Sequence, residues 1–206
     1  MTYPAIMTAW LALAFLVGTI GCGGPPPVGT FENIPPPPAT SPVTYGRADQ
    51  VILKEALEGK PLSPGEVADL SDRLLTEGSS TFHNEETMAR LDMLLNKSLK
   101  NGNPQHQAKL MRNLGIIHYH QKKYNLARQE LQRSNEINPR DARTHFYLAR
   151  LYAQRGEYYQ RLGKRKKSRG QLKLAATELG LARKLEPSNS LYKQDLKQIL
   201  RHDQGK

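Results

Sequence analysis

The chain has 206 residues, with 30 Lys plus Arg against 19 Asp plus Glu, 14 Pro and a single Cys. That length holds one ordinary domain with tails, and a net charge of +11 with 38% apolar residues excludes a multispanning membrane protein. One Cys excludes a disulfide framework and any zinc site built from several thiolates.

The charge is unevenly placed: only Glu32 is charged before Arg47, so residues 1–46 carry −1 and residues 47–206 carry +12. Ala5 to Gly21 is an uncharged, largely apolar run. As a helix it would reach roughly 25 Å, short of a hydrocarbon core of about 30 Å, and it reads as the apolar part of a secretory signal. The run stops at Gly21-Cys22-Gly23-Gly24, with the chain's one Cys at the break.

Thr19-Ile20-Gly21-Cys22 resembles the lipobox of a bacterial lipoprotein. The resemblance implies cleavage before Cys22, a diacylglycerol on its sulfur and an acyl chain on the new amine. Two or three chains anchor durably, because each buried methylene contributes about 0.8 kcal/mol. Gly23, standing where Asp would signal retention, implies sorting to the outer membrane with the body facing the periplasm. The alternative is that Cys22 is an ordinary residue of an uncleaved anchor or of a leader removed whole. Residues 1–21 are thus expected to be a signal peptide and residues 22–46 an acylated Cys with a tether.

The tether holds eight of the 14 prolines, at Pro25–Pro27, Pro35–Pro38 and Pro42. Proline fixes φ and removes the backbone donor, so neither a helix nor a central strand forms here. Polyproline II at about 3.1 Å per residue extends the segment to roughly 75 Å, a spacer between a bilayer and a folded body.

From Arg47 the periodicity becomes helical. Arg47–Glu58 carries Val51, Ile52, Leu53, Ala56 and Leu57 ahead of Gly59. Ser63-Pro64-Gly65-Glu66 is a capping box with Pro at the first helical position, opening a helix with Val67, Leu70 and Leu74 on one face. Gly78-Ser79-Ser80-Thr81 reads as a loop, and Asn84 as the cap of a third helix striped by Met88, Leu91, Leu95 and Leu99. No stretch alternates with period 2 long enough to argue a strand. The predicted fold class is all-α, and residues 47–107 are expected to form an amino-terminal cap or a degenerate repeat.

Pro139 and Pro187 stand in similar contexts, Glu136-Ile137-Asn138-Pro139 and Lys184-Leu185-Glu186-Pro187. A 34-residue unit over 108–141 places Met111, Leu114, Gly115, His118, Ala127, Leu131, Ser134 and Pro139 at spacings that resemble a tetratricopeptide repeat. Gly115 and Ala127 are small where two antiparallel helices touch, and Leu114 and Leu131 fill the space beside them. A second unit over 142–189 has Leu148, Ala149 and Tyr152 in its first helix, and Ala175, Leu179 and Ala182 in its second. Its proline falls 48 residues after the first rather than 34, so about 14 residues are inserted within Gln154–Gly170, lengthening both helices or forming a loop. Residues 190–206 are expected to be a capping helix and tail. The resemblance implies an α-α superhelix of antiparallel helix pairs.

The same resemblance places ligands on the concave face, at Lys109, Arg112, Ile116 and Tyr119, then Arg143, Phe146, Arg150 and Ala153. Basic groups with interleaved aromatics suit an acidic or carboxylate-terminated peptide of an envelope protein; the competing reading is a solvated basic face. Arg161, Lys164, Arg165, Lys166, Lys167, Arg169 and Lys173 form a second cluster, with no acid between Glu157 and Glu178. On an exported, anchored protein these would meet an anionic lipid or a cell-wall polymer, while nucleic acid is disfavoured by the leader. Alternatively they keep a loop soluble.

No nucleophile elbow, P-loop or carboxylate pair stands out, and neither a metal nor a cofactor is expected. His118 and His120, two residues apart on a helix, project about 200° from each other. The expectation is therefore a non-enzymatic scaffold of the envelope, in outline similar to pilotin-type lipoproteins that help assemble secretins and pili. The alternative is a polyanion-binding lipoprotein acting through residues 161–173.

Overall fold

The structure, a computed structural model, describes the backbone of residues 45–193 and the side chains of residues 48–193. The leader, Cys22, the tether up to residue 44 and the last thirteen residues lie outside the described residues. Among the described residues there are seven α-helices and no strand. They are α1 (Tyr45–Leu57), α2 (Pro64–Leu74), α3 (Glu85–Leu99), α4 (Pro104–His120), α5 (Tyr124–Ile137), α6 (Ala142–Arg161) and α7 (Arg165–Leu185). A 3-10 turn at Ser80–His83 occupies part of the stretch expected to be loop, because Ser79 caps it through Thr81 N at 3.2 Å. No described helix is long and apolar enough to cross a membrane.

Local chemistry sets the helix starts. Ser63 Oγ accepts from Glu66 N at 3.3 Å while the Glu66 carboxylate accepts from Ser63 N at 2.8 Å, a closed capping box. Asn84, Asn103 and Asp141 cap α3, α4 and α6, each accepting from the backbone three residues on at 2.9 Å.

The helices pack as consecutive pairs. α4 folds back on α5 and α6 on α7, each pair joined by a three-residue turn. In the first hairpin Gly115 allows the approach: a Cβ there would stand 2.6 Å from Leu131 Cγ and 3.2 Å from the Ala127 carbonyl oxygen. In the second, Ala149, Ala175, Leu179 and Ala182 are fully buried. Gly156 repeats the close approach, its added Cβ falling 2.8 Å from Leu172 Cδ2.

The two turns are built alike. Lys123 N donates to His118 O at 2.8 Å and Lys164 N to Tyr159 O at 2.9 Å, around a left-handed residue, Lys122 at φ 62° and Gly163 at φ 68°. These turn residues are 41 apart, whereas the following prolines are 48 apart. The 14 extra residues therefore divide into seven in α6 and seven in α7. Seven residues make about two helical turns, so the inner face keeps its phase while each helix grows by about 10 Å. Of the two expected outcomes, the insert lengthens both helices.

α1 packs on α2 and α3, which pack on each other and on α4, and Leu53, Val67, Leu70, Leu75, Leu91 and Leu95 are buried in the same core as the later pairs. After α7 a helical stretch begins at Ser190, and Tyr192 packs on Phe146 with ring centroids 4.9 Å apart. The remainder of the expected capping helix, with Leu196, Ile199 and Leu200, lies outside the described residues. The fold is all-α, a tetratricopeptide-like solenoid of antiparallel helix pairs.

Candidate functional site

The first-helix face was expected to meet an acidic ligand, and its cations do meet carboxylates, but those of the same chain. Lys109 reaches Asp69 at 3.3 Å, and the Arg112 guanidinium spans Asp72 and Asp141. Arg143 lies 3.6 Å from Asp72 and donates to the Leu75 carbonyl, and Arg150 holds Glu77 at 2.6 Å. Segment 69–77, from the end of α2 and the turn after it, thus runs along α4 and α6 where the ligand was placed.

The segment is built into the core. Leu70, Leu74 and Leu75 are buried, and Asn113 Nδ2 bonds Ser71 Oγ and Asp72 at 2.7 Å each. Ile116 is fully buried, and Phe146, Arg112 and Tyr119 are at most 9% exposed. Arg112, Ile116 and Tyr119 are therefore internal packing residues, while Phe146, although buried, forms part of the wall of a concavity with Arg143, Tyr147 and Tyr192. The physical reason is that α2 and α3 bury the face that an open superhelix would leave to solvent. Lys109, Arg143, Arg150 and Ala153 are half-buried.

Arg150 shows how this protein holds a carboxylate. Its guanidinium lies 5.0 Å from the centroid of the Tyr119 ring, 5.5 Å from Phe146 and 5.6 Å from Tyr147. Glu77 accepts from Arg150 and from the Tyr147 hydroxyl, both at 2.6 Å. Burial works against the Glu77 charge, but Tyr147 and Arg150 outweigh it and hold the carboxyl below its ordinary range. Burial, with Glu77 beside it, pushes the Tyr147 hydroxyl up.

Three of the histidines, His118, His120 and His145, are tied into the packing between helices. His118 sits between Asp92 and Glu130, with Nδ1 2.6 Å from Glu130, and the two carboxylates push its pKa up to about 9. His145 meets Glu178 at 2.6 Å and the Pro139 carbonyl at 3.0 Å, and is raised in the same direction. His120 stacks on Phe82 at 3.7 Å, and burial lowers its pKa to about 4. Among the described residues no group of three His, Cys, Asp or Glu could hold a metal ion.

A further open concavity lies on the lengthened part of α6. Because α6 is lengthened by seven residues and α5 is not, the last two turns of α6 extend past the paired part of the first hairpin, leaving a step. In it lies a cleft of about 340 Å³ with Tyr124 and Arg128 on one wall and Tyr152, Arg155, Tyr158 and Tyr159 on the other. Tyr124 is 39% and Tyr158 53% exposed. Arg155 lies over Tyr159 at 5.7 Å and donates to its hydroxyl at 3.3 Å. Arg128 Nε is buried with no hydrogen-bond partner. Among the predicted residues only Arg161 lines this cleft.

The basic stretch is carried on the same extension. Arg161, Lys164, Arg165, Lys166, Lys167, Arg169 and Lys173 are all exposed. Arg165, Arg169 and Lys173 follow one another at four-residue spacing along α7, beside a shallow groove. Lys167 stands apart from them, 5.8 Å over the Tyr159 ring.

No protein-family model matches the chain, and no curated protein does. Among solved structures, a crystal structure of MamA is similar at 16% identity, covering 74% of this chain and 85% of that one, with a TM-score of 0.41. At that level of likeness the fold rests on the helix packing itself.

Proposed function

We propose that the protein is a lipid-anchored interaction scaffold of a bacterial envelope. Cys22 carries the lipid at the outer membrane, residues 23–46 hold the helical body off the bilayer, and the body binds a protein partner in the periplasm. Its place is in the assembly of envelope machinery of the pilus or secretion type. The observation that carries the binding reading is the step between the two helix pairs, where tyrosines and arginines line an open cleft. Those are the residue types that dominate the centres of protein interfaces. The anchor is supported by the apolar run ending at Cys22 and the prolines after it.

Chemical cross-linking in intact envelopes, with the mass of the mature protein, tests this reading. A chain cleaved before Cys22, carrying acyl groups and running in a discrete cross-linked complex, is the expected result; Cys22→Ala loses the acyl mass. A monomer after cross-linking would sink the scaffold, and an unmodified full-length chain would sink the anchor.

A second reading, polyanion binding through residues 161–173, is favoured by the exposure of all seven cations. It predicts binding to anionic vesicles that collapses steeply between low and physiological salt.

A further inference from the structure

The cleft at the step repeats the chemistry of an occupied site elsewhere in the molecule. Around Arg150, a guanidinium packed against tyrosine rings takes the Glu77 carboxylate, helped by a tyrosine hydroxyl. In the cleft, Arg155 lies over Tyr159 and donates to its hydroxyl, and Arg128 brings a buried, unpartnered Nε to the facing wall. The counterpart of Glu77 is missing, for no acidic residue lines the cleft.

We propose that this cleft is a docking site for an acidic segment of a protein partner, its carboxylate taken by Arg128 and Arg155 and an adjacent apolar side chain seated among Tyr124, Tyr152 and Tyr158. The inference rests on the scaffold reading only in requiring that the partner be a protein. Three features select a peptide over a polymeric anion. The cations of the cleft are arginines, whose planar fork matches a carboxylate in two bonds where lysine offers a point charge. A volume of about 340 Å³ suits one or two side chains rather than a long strand. The groove on α7, whose cations Arg165, Lys166, Arg169 and Lys173 would suit a continuous polyanion, is lined by other residues.

The test is fluorescence anisotropy on the full chain in detergent, with a labelled octapeptide alternating Glu and Leu as probe. Its Lys–Leu equivalent and dodecathymidylate are the comparisons. The acidic octapeptide is expected to bind and the basic one not to. Arg128→Gln and Tyr158→Ala should each weaken binding about tenfold, while Lys166→Gln with Arg169→Gln leaves it unchanged. Tyr158 is exposed, so its variant tests the cleft even if Arg128→Gln disturbs folding. Retained affinity in both cleft variants, loss in the α7 variant, or tighter binding of dodecathymidylate through the same residues would overturn the proposal. If the octapeptide does not bind while envelope complexes still cross-link, the cleft proposal fails and the scaffold stands. If no complex cross-links, it is the scaffold reading that fails.

Discussion

Gly115 lies so close to Leu131 that a Cβ on it would stand 2.6 Å from Leu131 Cγ, inside any tolerable contact. Nor can the approach be relieved by one side chain moving, since the Ala127 carbonyl oxygen lies 3.2 Å away on the same side. Gly115→Ala is therefore expected to destabilise the fold by about 1–3 kcal/mol through overpacking. Gly180 lies within α7 with nothing within 4 Å of its added Cβ. Gly180→Ala should stabilise by about 0.5–1 kcal/mol. Urea unfolding of the two variants should move in opposite directions, and a shared direction would refute the packing account.

Arg112, 7% exposed at its side chain, is bound to Asp72 from α2 and to Asp141, the cap of α6. Replacing it leaves Asp141 and Asp72 with only Arg143, 3.6 Å from Asp72, to balance the two charges. Arg112→Leu is expected to cost about 3–5 kcal/mol. The restoring test is the triple change with Asp72→Asn and Asp141→Asn: recovery of part of the loss in denaturant titration supports an ion triad, and none argues for simple loss of packing.

Lys122 holds the left-handed position that Gly163 holds in the other hairpin turn. A side chain strains that conformation, whereas Gly adopts it freely. Lys122→Gly should raise stability by about 0.5–1 kcal/mol, and Gly163→Ala should lower it by a similar amount. Thermal unfolding of both variants provides the comparison.

His118 and His120 respond to pH with opposite signs. The His118 pKa is raised from 6.5 to about 9 by Asp92 and Glu130, so its contribution is full below pH 6.5 and lost as pH rises through about 9. His145 acts in the same sense. Burial lowers the His120 pKa to about 4, so its contribution is present above pH 6.5 and lost as pH falls through about 4. Stability should peak near pH 6.5. His118→Gln should flatten the alkaline side and His120→Phe the upper part of the acid side, as read from urea midpoints across pH. A wild-type midpoint that rose from pH 6.5 to 9 would contradict the first assignment.

Much of the fold was legible because its determinants are local or periodic. The Ser63 capping box, the Asn84 cap and the small residues at Gly115 and Ala127 each leave a mark within a few residues of where they act. The division of the insert was not legible, because continuous helices and a loop share its charged composition. One signal was available: Gly115 precedes Leu131 by 16 residues, and Gly156 precedes Leu172 by the same number. That shared spacing fixes both turns at equal distance from a glycine contact.

The filled face was hidden for a different reason. Register assigns Lys109, Arg112, Arg143 and Arg150 to one surface correctly, but says nothing of which segment covers it. The covering acids Asp69, Asp72 and Glu77 stand some 40 to 70 residues earlier, and only their sign, in a basic chain, hinted at the match. The Tyr124–Tyr158 cleft arises from unequal helix lengths, which no single motif encodes.

The segment along the first-helix face also has a mechanical meaning. Any pull arriving from the amino-terminal side enters the described body at α1, which is tied to α2 by the Asp49–Arg73 pair. From α2 the load passes to α4 and α6 through the grips of Arg112, Arg143 and Arg150 on residues 72–77. Those grips are spread along the segment, so a pull along it strains them together instead of opening them one at a time. The helices that fill the face therefore double as the joint by which the solenoid would bear tension from whatever holds its amino-terminal end.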